Sequence, residues 1–238
     1  LLVNGVQSSH VLVGQPRMLD FEYMRWIAAV LDSHIQTHLN PDKLRITHLG
    51  GGACSLARYC ADVYPNSRNT VVELDAKLAE YVREWFDIPK SPRVKIRVGD
   101  AGTVTRSFAP ASRDVVIRDV FSVDKTPAEL TSVDFVREVD HSLAPGGLYI
   151  LNCGDGPSLD GARAEVAALF EVFEQVCLVA DAAMLKGRRR GNIIIAASHS
   201  PLPAAGSAEA AAISRTLMGG GVPAQYRDSA QTRQFARL

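Results

Sequence analysis

The stretch Ile46–Tyr59, ITHLGGGACSLARY, decides how this chain is read. A buried strand runs into Gly50, Gly51 and Gly52 and then into a helix. Glycines at such a corner let backbone approach a ligand closely, and the helix start presents unpaired N–H groups. The next strand closes on VVELD, which sets Glu73 about 20 residues past Gly52. A carboxylate at the tip of a second strand is placed to accept both hydrogen bonds of a ribose diol. The plainer reading is a tight turn followed by a solvated acid. Together the two features favour a nucleoside site.

The kind of nucleoside follows from what the corner lacks. A dinucleotide fingerprint wants glycine where Ser55 stands, no Arg adjoins Glu73 to take a 2′-phosphate, and no GK[ST] follows. The third strand ends in RVGDA, Arg97–Ala101. There Asp100 can accept from the exocyclic amine of adenine while the Ala101 N–H meets a ring nitrogen. As an alternative, Asp100 caps a helix. Glycine loop, Glu73 and Asp100, closing three consecutive strands, describe an S-adenosylmethionine-type site.

Outward from this core, strand-like runs lie at 45–49, 69–74, 93–98, 114–119, 147–153, 174–180 and 192–197. Helical periodicity fills 76–86, 132–143 and 160–173, with Thr131 and Asp134 spaced as a capping box and Pro145-Gly146-Gly147 as a stop. The pattern predicts an α/β fold: a Rossmann-like, seven-stranded mixed sheet, its last two strands an antiparallel hairpin. Before it, residues 1–13 read as a small hairpin about Asn4-Gly5, and a helix is expected from about Asp20 to Leu39. The expected units are 1–40, 41–200 and an Ala/Gly/Pro-rich tail, 201–238, with at most one helix, near 206–217.

Composition narrows the function. Lys and Arg number 26, as do Asp and Glu, so the chain lacks the positive surplus that phosphate backbones require, and no nucleic-acid partner is expected. No apolar run reaches the roughly 18 residues of a membrane span, so no membrane partner is expected either. Cys54, Cys60, Cys153 and Cys177 form no C-x-x-C pair and read as reduced thiols of a cytoplasmic protein. The chain starts at Leu1 rather than Met, so residues preceding it are expected.

HLGGGACSLARY, VVELD, VGDA and DVVIRDVF, in this order, resemble the spermidine synthase family, aminopropyltransferases on a class I methyltransferase fold. LLVNGV followed by DFEYMRWI is similar to that family's N-terminal β-stranded segment and its D-E-F-x-Y-H-E run. The resemblance spans about residues 1–200. It implies a decarboxylated S-adenosylmethionine co-substrate, a small amine acceptor, no metal, and a homodimer. By the same resemblance Asp119 matches the first Asp of D-S-S-D-P and is the expected base, with Tyr23 kept as a substrate contact and Ser122 at the second Asp. Departures gather on the acceptor side. Ala53 replaces the loop Asp, Val123 the proline, Met24 and Arg25 the His and Glu of Y-H-E, and Met184 or Leu185 a Tyr.

Other residues offer less. His34 and His38, at i and i+4, are expected to be a solvated polar face rather than a metal pair, and Ser8, Ser9 and His10 make no nucleophile motif. Arg188, Arg189 and Arg190 read as a solvated hairpin loop, or else as a surface for an acidic partner. Trp85 and Phe86 are expected in the core. Arg118 could attract the carboxylate of an intact cofactor. Three readings stand: an aminopropyltransferase, an S-adenosylmethionine-dependent methyltransferase, and a silent adenosyl-binding relative.

Overall fold

A computed structural model describes residues 1–3, 5–122 and 125–238. A short pair, β1 (Leu2–Val3) and β2 (Val6–Gln7), precedes the helix α1 (Glu22–His38). Then come β3 (Arg45–Leu49), α2 (Ser55–Val63), β4 (Arg68–Glu73), α3 (Ala76–Trp85), β5 (Val94–Val98), α4 (Ala101–Arg106) and β6 (Arg113–Arg118). The second half runs α5 (Val133–Ser142), β7 (Leu143–Asp155), α6 (Asp160–Phe170), β8 (Gln175–Asp181), one-turn α7 (Ala182–Leu185) and β9 (Gly191–Ser198). It closes with α8 (Ala208–Met218), β10 (Ala224–Arg227) and α9 (Ser229–Ala236).

Strand–helix alternation forces parallel pairing, because each helix carries the chain back across the sheet. The main sheet has the order β10-β8-β9-β7-β6-β3-β4-β5, with β3 to β7 parallel and β9 antiparallel to both its neighbours. It therefore has eight strands, not the expected seven. The eighth is β10, whose four residues are too few for a periodic signal; it pairs antiparallel along β8 and covers what would be an open edge. The tail thus contributes a strand and two helices rather than one helix. β1 and β2 form the expected hairpin, although Asn4 of its turn lies outside the described residues.

Two apolar layers sandwich the sheet. On one face α1, α2 and α8 pack Ile27, Leu31, Cys60 and Ile213 against Ile46, Ile117 and Ile150. On the other, α4, α5, α6 and α9 pack Val104, Phe135, Val166 and Phe235 against Leu49, Val116 and Leu151. Alternate residues of β3 and β6 thus serve opposite layers, as the pleat requires. Helix α5 is capped by Ser132, whose side chain accepts from the Phe135 N–H, not by Thr131, whose hydroxyl bonds Ala128. Trp85 is 52% exposed and stacks on Tyr81 at the last turn of α3; only Phe86 of that pair leans on apolar residues. Among the described residues, no helix is long and apolar enough to cross a membrane.

Candidate functional site

The strand order changes direction at β3, which pairs with β4 on one side and β6 on the other. Crevices at the carboxyl ends of such switch points are where α/β sheets bind ligands. Here the ends are locked by backbone bonds, Gly50 N–H to Val72 O at 2.9 Å and Asp119 N–H to Leu49 O at 2.8 Å. Gly50 has φ +92°, and a Cβ there would run into the Asp119 carbonyl oxygen. Glycine is required at this corner because it meets backbone on the neighbouring strand.

Glu73 lies against the same loop. Its Oε2 accepts from the N–H groups of Gly51 (3.0 Å) and Gly52 (3.3 Å), and Oε1 accepts from Asp75 N–H (3.0 Å). The carboxylate is thereby held at the tip of β4. Beside it Leu74 is 73% exposed, and Val98 at the paired tip of β5 is half exposed. Both are apolar side chains left bare near the Glu73 carboxylate, which their places in the sequence do not signal. Asp100 is the N-cap of α4 and accepts from Thr103 N–H at 2.8 Å, a bond that lowers its pKa. The capping reading holds, and Ala101 begins the helix that Asp100 caps.

Asp119 stands at the end of β6 between two donors. The Tyr23 hydroxyl donates to Oδ2 and the Asn152 amide to Oδ1, each at 2.9 Å. Burial pushes the Asp119 carboxyl above its ordinary range, and the two hydrogen bonds only partly offset it. Burial first, and the Asp119 charge second, raise the Tyr23 phenol as well. Behind this group a cavity of about 30 Å³ is lined by Met24, His48, Gly50, Gly51, Ala57 and Asp119 among others. Among the described residues Asp119 is the one carboxylate on its wall.

A crystal structure described as a probable spermidine synthase from Corynebacterium glutamicum shares 60% identity with this chain. The match covers 98% of this chain and 84% of that one, with a TM-score of 0.96. The chain belongs to the spermidine synthase family. No protein-family model matches it. Human methyltransferase-like protein 13, solved with SAH, is 26% identical with a TM-score of 0.64, over 84% of this chain and 94% of that one. The mouse eEF1A lysine and N-terminal methyltransferase is 33% identical over 144 residues, 56% of this chain. This chain spans 20% of that curated relative's length, and 48% of the polyamine aminopropyltransferase of Vibrio vulnificus.

The positions that depart from the family pattern make other contacts here. Ala53 is fully buried, and its N–H donates to Ser9 Oγ at 3.0 Å, so the N-terminal segment seals the loop where the family has an acid. A Cβ on Gly52 would touch the hydroxyls of both Ser8 and Ser9. Arg25, in place of the family's Glu, donates to the Leu19 and Asp20 carbonyls and staples the start of α1. Met184 and Leu185 are in the core. Ser122 is exposed and bridges Lys125 through backbone; Val123 lies outside the described residues. Asp155 is occupied by the N–H groups of Gly156 and Ala162, and Asp181 by the start of α7 and by Arg189.

Two expectations are corrected. Arg118 cannot meet a cofactor, because it is fully buried, donating to Leu130 O and paired with Glu165 at 2.6 Å. His34 is not on a solvated face: it is buried and bonded through Nε2 to Gly146 O at 2.8 Å, and burial lowers its pKa to about 4. Ser9 is buried, and its hydroxyl is taken up by the Ala53 N–H. Among the described residues no group of three or more His, Cys, Asp or Glu side chains is arranged to hold a metal. All four cysteines are buried free thiols.

Proposed function

We propose that this protein transfers an aminopropyl group from decarboxylated S-adenosylmethionine to an amine acceptor. The observation that carries the reading is the Tyr23–Asp119–Asn152 group at the switch point, on a chain 60% identical to a probable spermidine synthase. In this reading Glu73 exchanges the loop N–H groups for the ribose diol, adenine lies over Leu74 and Val98, and Asp100 with Ala101 reads its edge. An amine is protonated at neutral pH and is not a nucleophile until a base accepts its proton. Asp119 is that base. The freed nitrogen lone pair forms a bond to the propyl carbon, the carbon–sulfur bond breaks, and its electron pair returns to sulfur, releasing methylthioadenosine.

A second reading, methyl transfer from intact S-adenosylmethionine, is favoured by one feature. Ala53 leaves no acid to repel the carboxylate of the intact cofactor. The methyltransferase relatives keep company with this reading. An assay of both donors against a panel of amines, with Asp119→Asn as control, separates the two. Formation of methylthioadenosine supports aminopropyl transfer, and formation of S-adenosylhomocysteine supports methyl transfer. Asp119→Asn is expected to lower either rate by about 10²–10⁴-fold; an unchanged rate contradicts the assigned base.

A further inference from the structure

His48 is a buried titratable side chain on the wall of the site that the transfer step leaves unused. It projects from β3 on the face that α1 and α2 cover, as Ile46 does, and is 4% exposed. A chain of hydrogen bonds fixes which ring nitrogen carries the hydrogen. The Asn69 amide nitrogen donates to the Arg93 carbonyl at 3.0 Å and to Ser67 Oγ at 2.9 Å, and the Ser67 hydroxyl itself is turned to the Cys60 carbonyl. The Asn69 oxygen therefore faces His48 Nε2, at 3.0 Å, and Nε2 must be the N–H. Burial keeps the ring neutral, so Nδ1 is a bare lone pair. No donor among the described residues reaches it.

The strand register shows what lies nearby. His48 is paired with Ile117 of β6, and Asp119 follows two residues on, on the same face of that strand. At ordinary strand spacing and rise their Cα atoms are about 8 Å apart, within reach of one small bridging molecule. Both side chains line the cavity of about 30 Å³. That volume exceeds the roughly 10–15 Å³ that a water needs, and falls far short of the roughly 300 Å³ at which small-molecule pockets begin. Met24, Leu56, Val71 and Ile117 give it apolar walls, and the Ser55 hydroxyl is directed away, at the His10 carbonyl. Hydrogen bonding to an occupant falls chiefly to His48 and Asp119.

We infer that the cavity holds a water that gives one hydrogen to His48 Nδ1 and the other to the Asp119 carboxylate, which makes His48 a positioning residue for the base. The role in turnover rests on the transferase reading above; the bridge itself does not. The carboxylate has room for it, because Tyr23 and Asn152 occupy two of its roughly four lone-pair positions. A third donor favours the ionised form against burial. The titratable groups that bear on Asp119 are Tyr23 from α1 and Arg118 from its own strand; Ser55, Leu56 and Ala57 of α2 carry no charge, and burial and Asn69 alone set the state of His48. Because His48 is neutral, its removal takes away a hydrogen bond and no electric field.

Nitrogen NMR of the unaltered chain tests the first link and needs no variant to fold. At neutral pH His48 Nε2 is expected to be protonated, and Nδ1 bare and hydrogen-bonded. Carboxyl carbon NMR then titrates Asp119 without requiring turnover. His48→Leu is expected to raise the Asp119 midpoint by about 0.5–1 pH unit, and His48→Gln, which keeps a polar acceptor there, to bring back at least about half of that rise. The rising limb of the rate–pH profile is expected to move with the midpoint. A protonated Nδ1, a midpoint unchanged in His48→Leu, or a rise as large in His48→Gln as in His48→Leu would each overturn the proposal. The expected midpoints without any formation of methylthioadenosine would instead contradict the transferase reading and leave the bridge standing.

Discussion

Tyr23 Oη lies 2.9 Å from Asp119 Oδ2, joining the first turn of α1 to the end of β6 across 96 residues. The bond favours the ionised carboxylate, and so does the Asn152 amide on the other oxygen, while burial disfavours it. Turnover that needs Asp119 as a base must therefore rise with pH through a carboxyl value above the ordinary range. Tyr23→Phe removes one stabilising donor and is expected to move that rising limb to higher pH, with Asn152→Leu acting in the same direction. Rate–pH profiles check this; a limb that stays in place in both variants would remove Asp119 from the chemistry.

The glycine loop makes a sharper structural prediction. Gly50→Ala would place a methyl against the Asp119 carbonyl at a backbone angle, φ +92°, that side chains rarely tolerate. The two effects together are expected to cost about 2–4 kcal/mol in a urea titration. A loss below about 0.5 kcal/mol would mean the corner relaxes freely.

Burial of Arg118 with Glu165 sets up a contrast between breaking a pair and replacing it. Glu165→Ala leaves a buried guanidinium, still bonded to Leu130 O, without its carboxylate, and a loss of roughly 3–5 kcal/mol is expected. The double variant Arg118→Met/Glu165→Leu is expected to recover most of it. Equal damage from both would show that the pair itself, rather than an orphaned charge, stabilises the fold.

His34 and His48 are held neutral by burial, each with its pKa lowered to about 4. Because the unfolded chain then binds more protons, their contribution is complete above about pH 6.5 and is lost as pH falls toward 4. The slope is up to about 1.4 kcal/mol per pH unit for each. Asp32 and Asp119, raised by burial, act oppositely: what they contribute is present at low pH and is lost as pH rises through their raised values. Denaturation midpoints are expected to fall from pH 7 to pH 5 less steeply in His34→Asn/His48→Asn than in the parent. Identical slopes would contradict the assignment.

Much of the site was legible because its parts are local. A strand, three glycines and a helix start are contiguous in sequence, and Glu73, Asp100 and Asp119 each follow a strand that hydrophobic periodicity reveals. Asn152 was not legible, since its meeting with Asp119 depends on β7 lying beside β6. Ser9 was hidden for a similar reason: its partner, the Ala53 N–H, is 44 residues away. Leu74 looked like one more strand residue until the sheet left it bare. Arg118 adjoins Asp119 at the charged end of RDVVIRD, and only its pairing with Glu165 of α6 shows that it is buried. Helix periodicity likewise put Trp85 inside, whereas α3 ends before covering it.

The most direct measurement is a calorimetric titration of the purified protein with decarboxylated S-adenosylmethionine, S-adenosylmethionine and methylthioadenosine. Glu73, Asp100 and the glycine loop predict that an adenosyl ligand binds, and aminopropyl transfer predicts that the decarboxylated form binds more than about tenfold, or 1.4 kcal/mol, tighter than the intact one. Tighter binding of the intact cofactor would contradict aminopropyl transfer in favour of methyl transfer, and no binding of any of the three would contradict both.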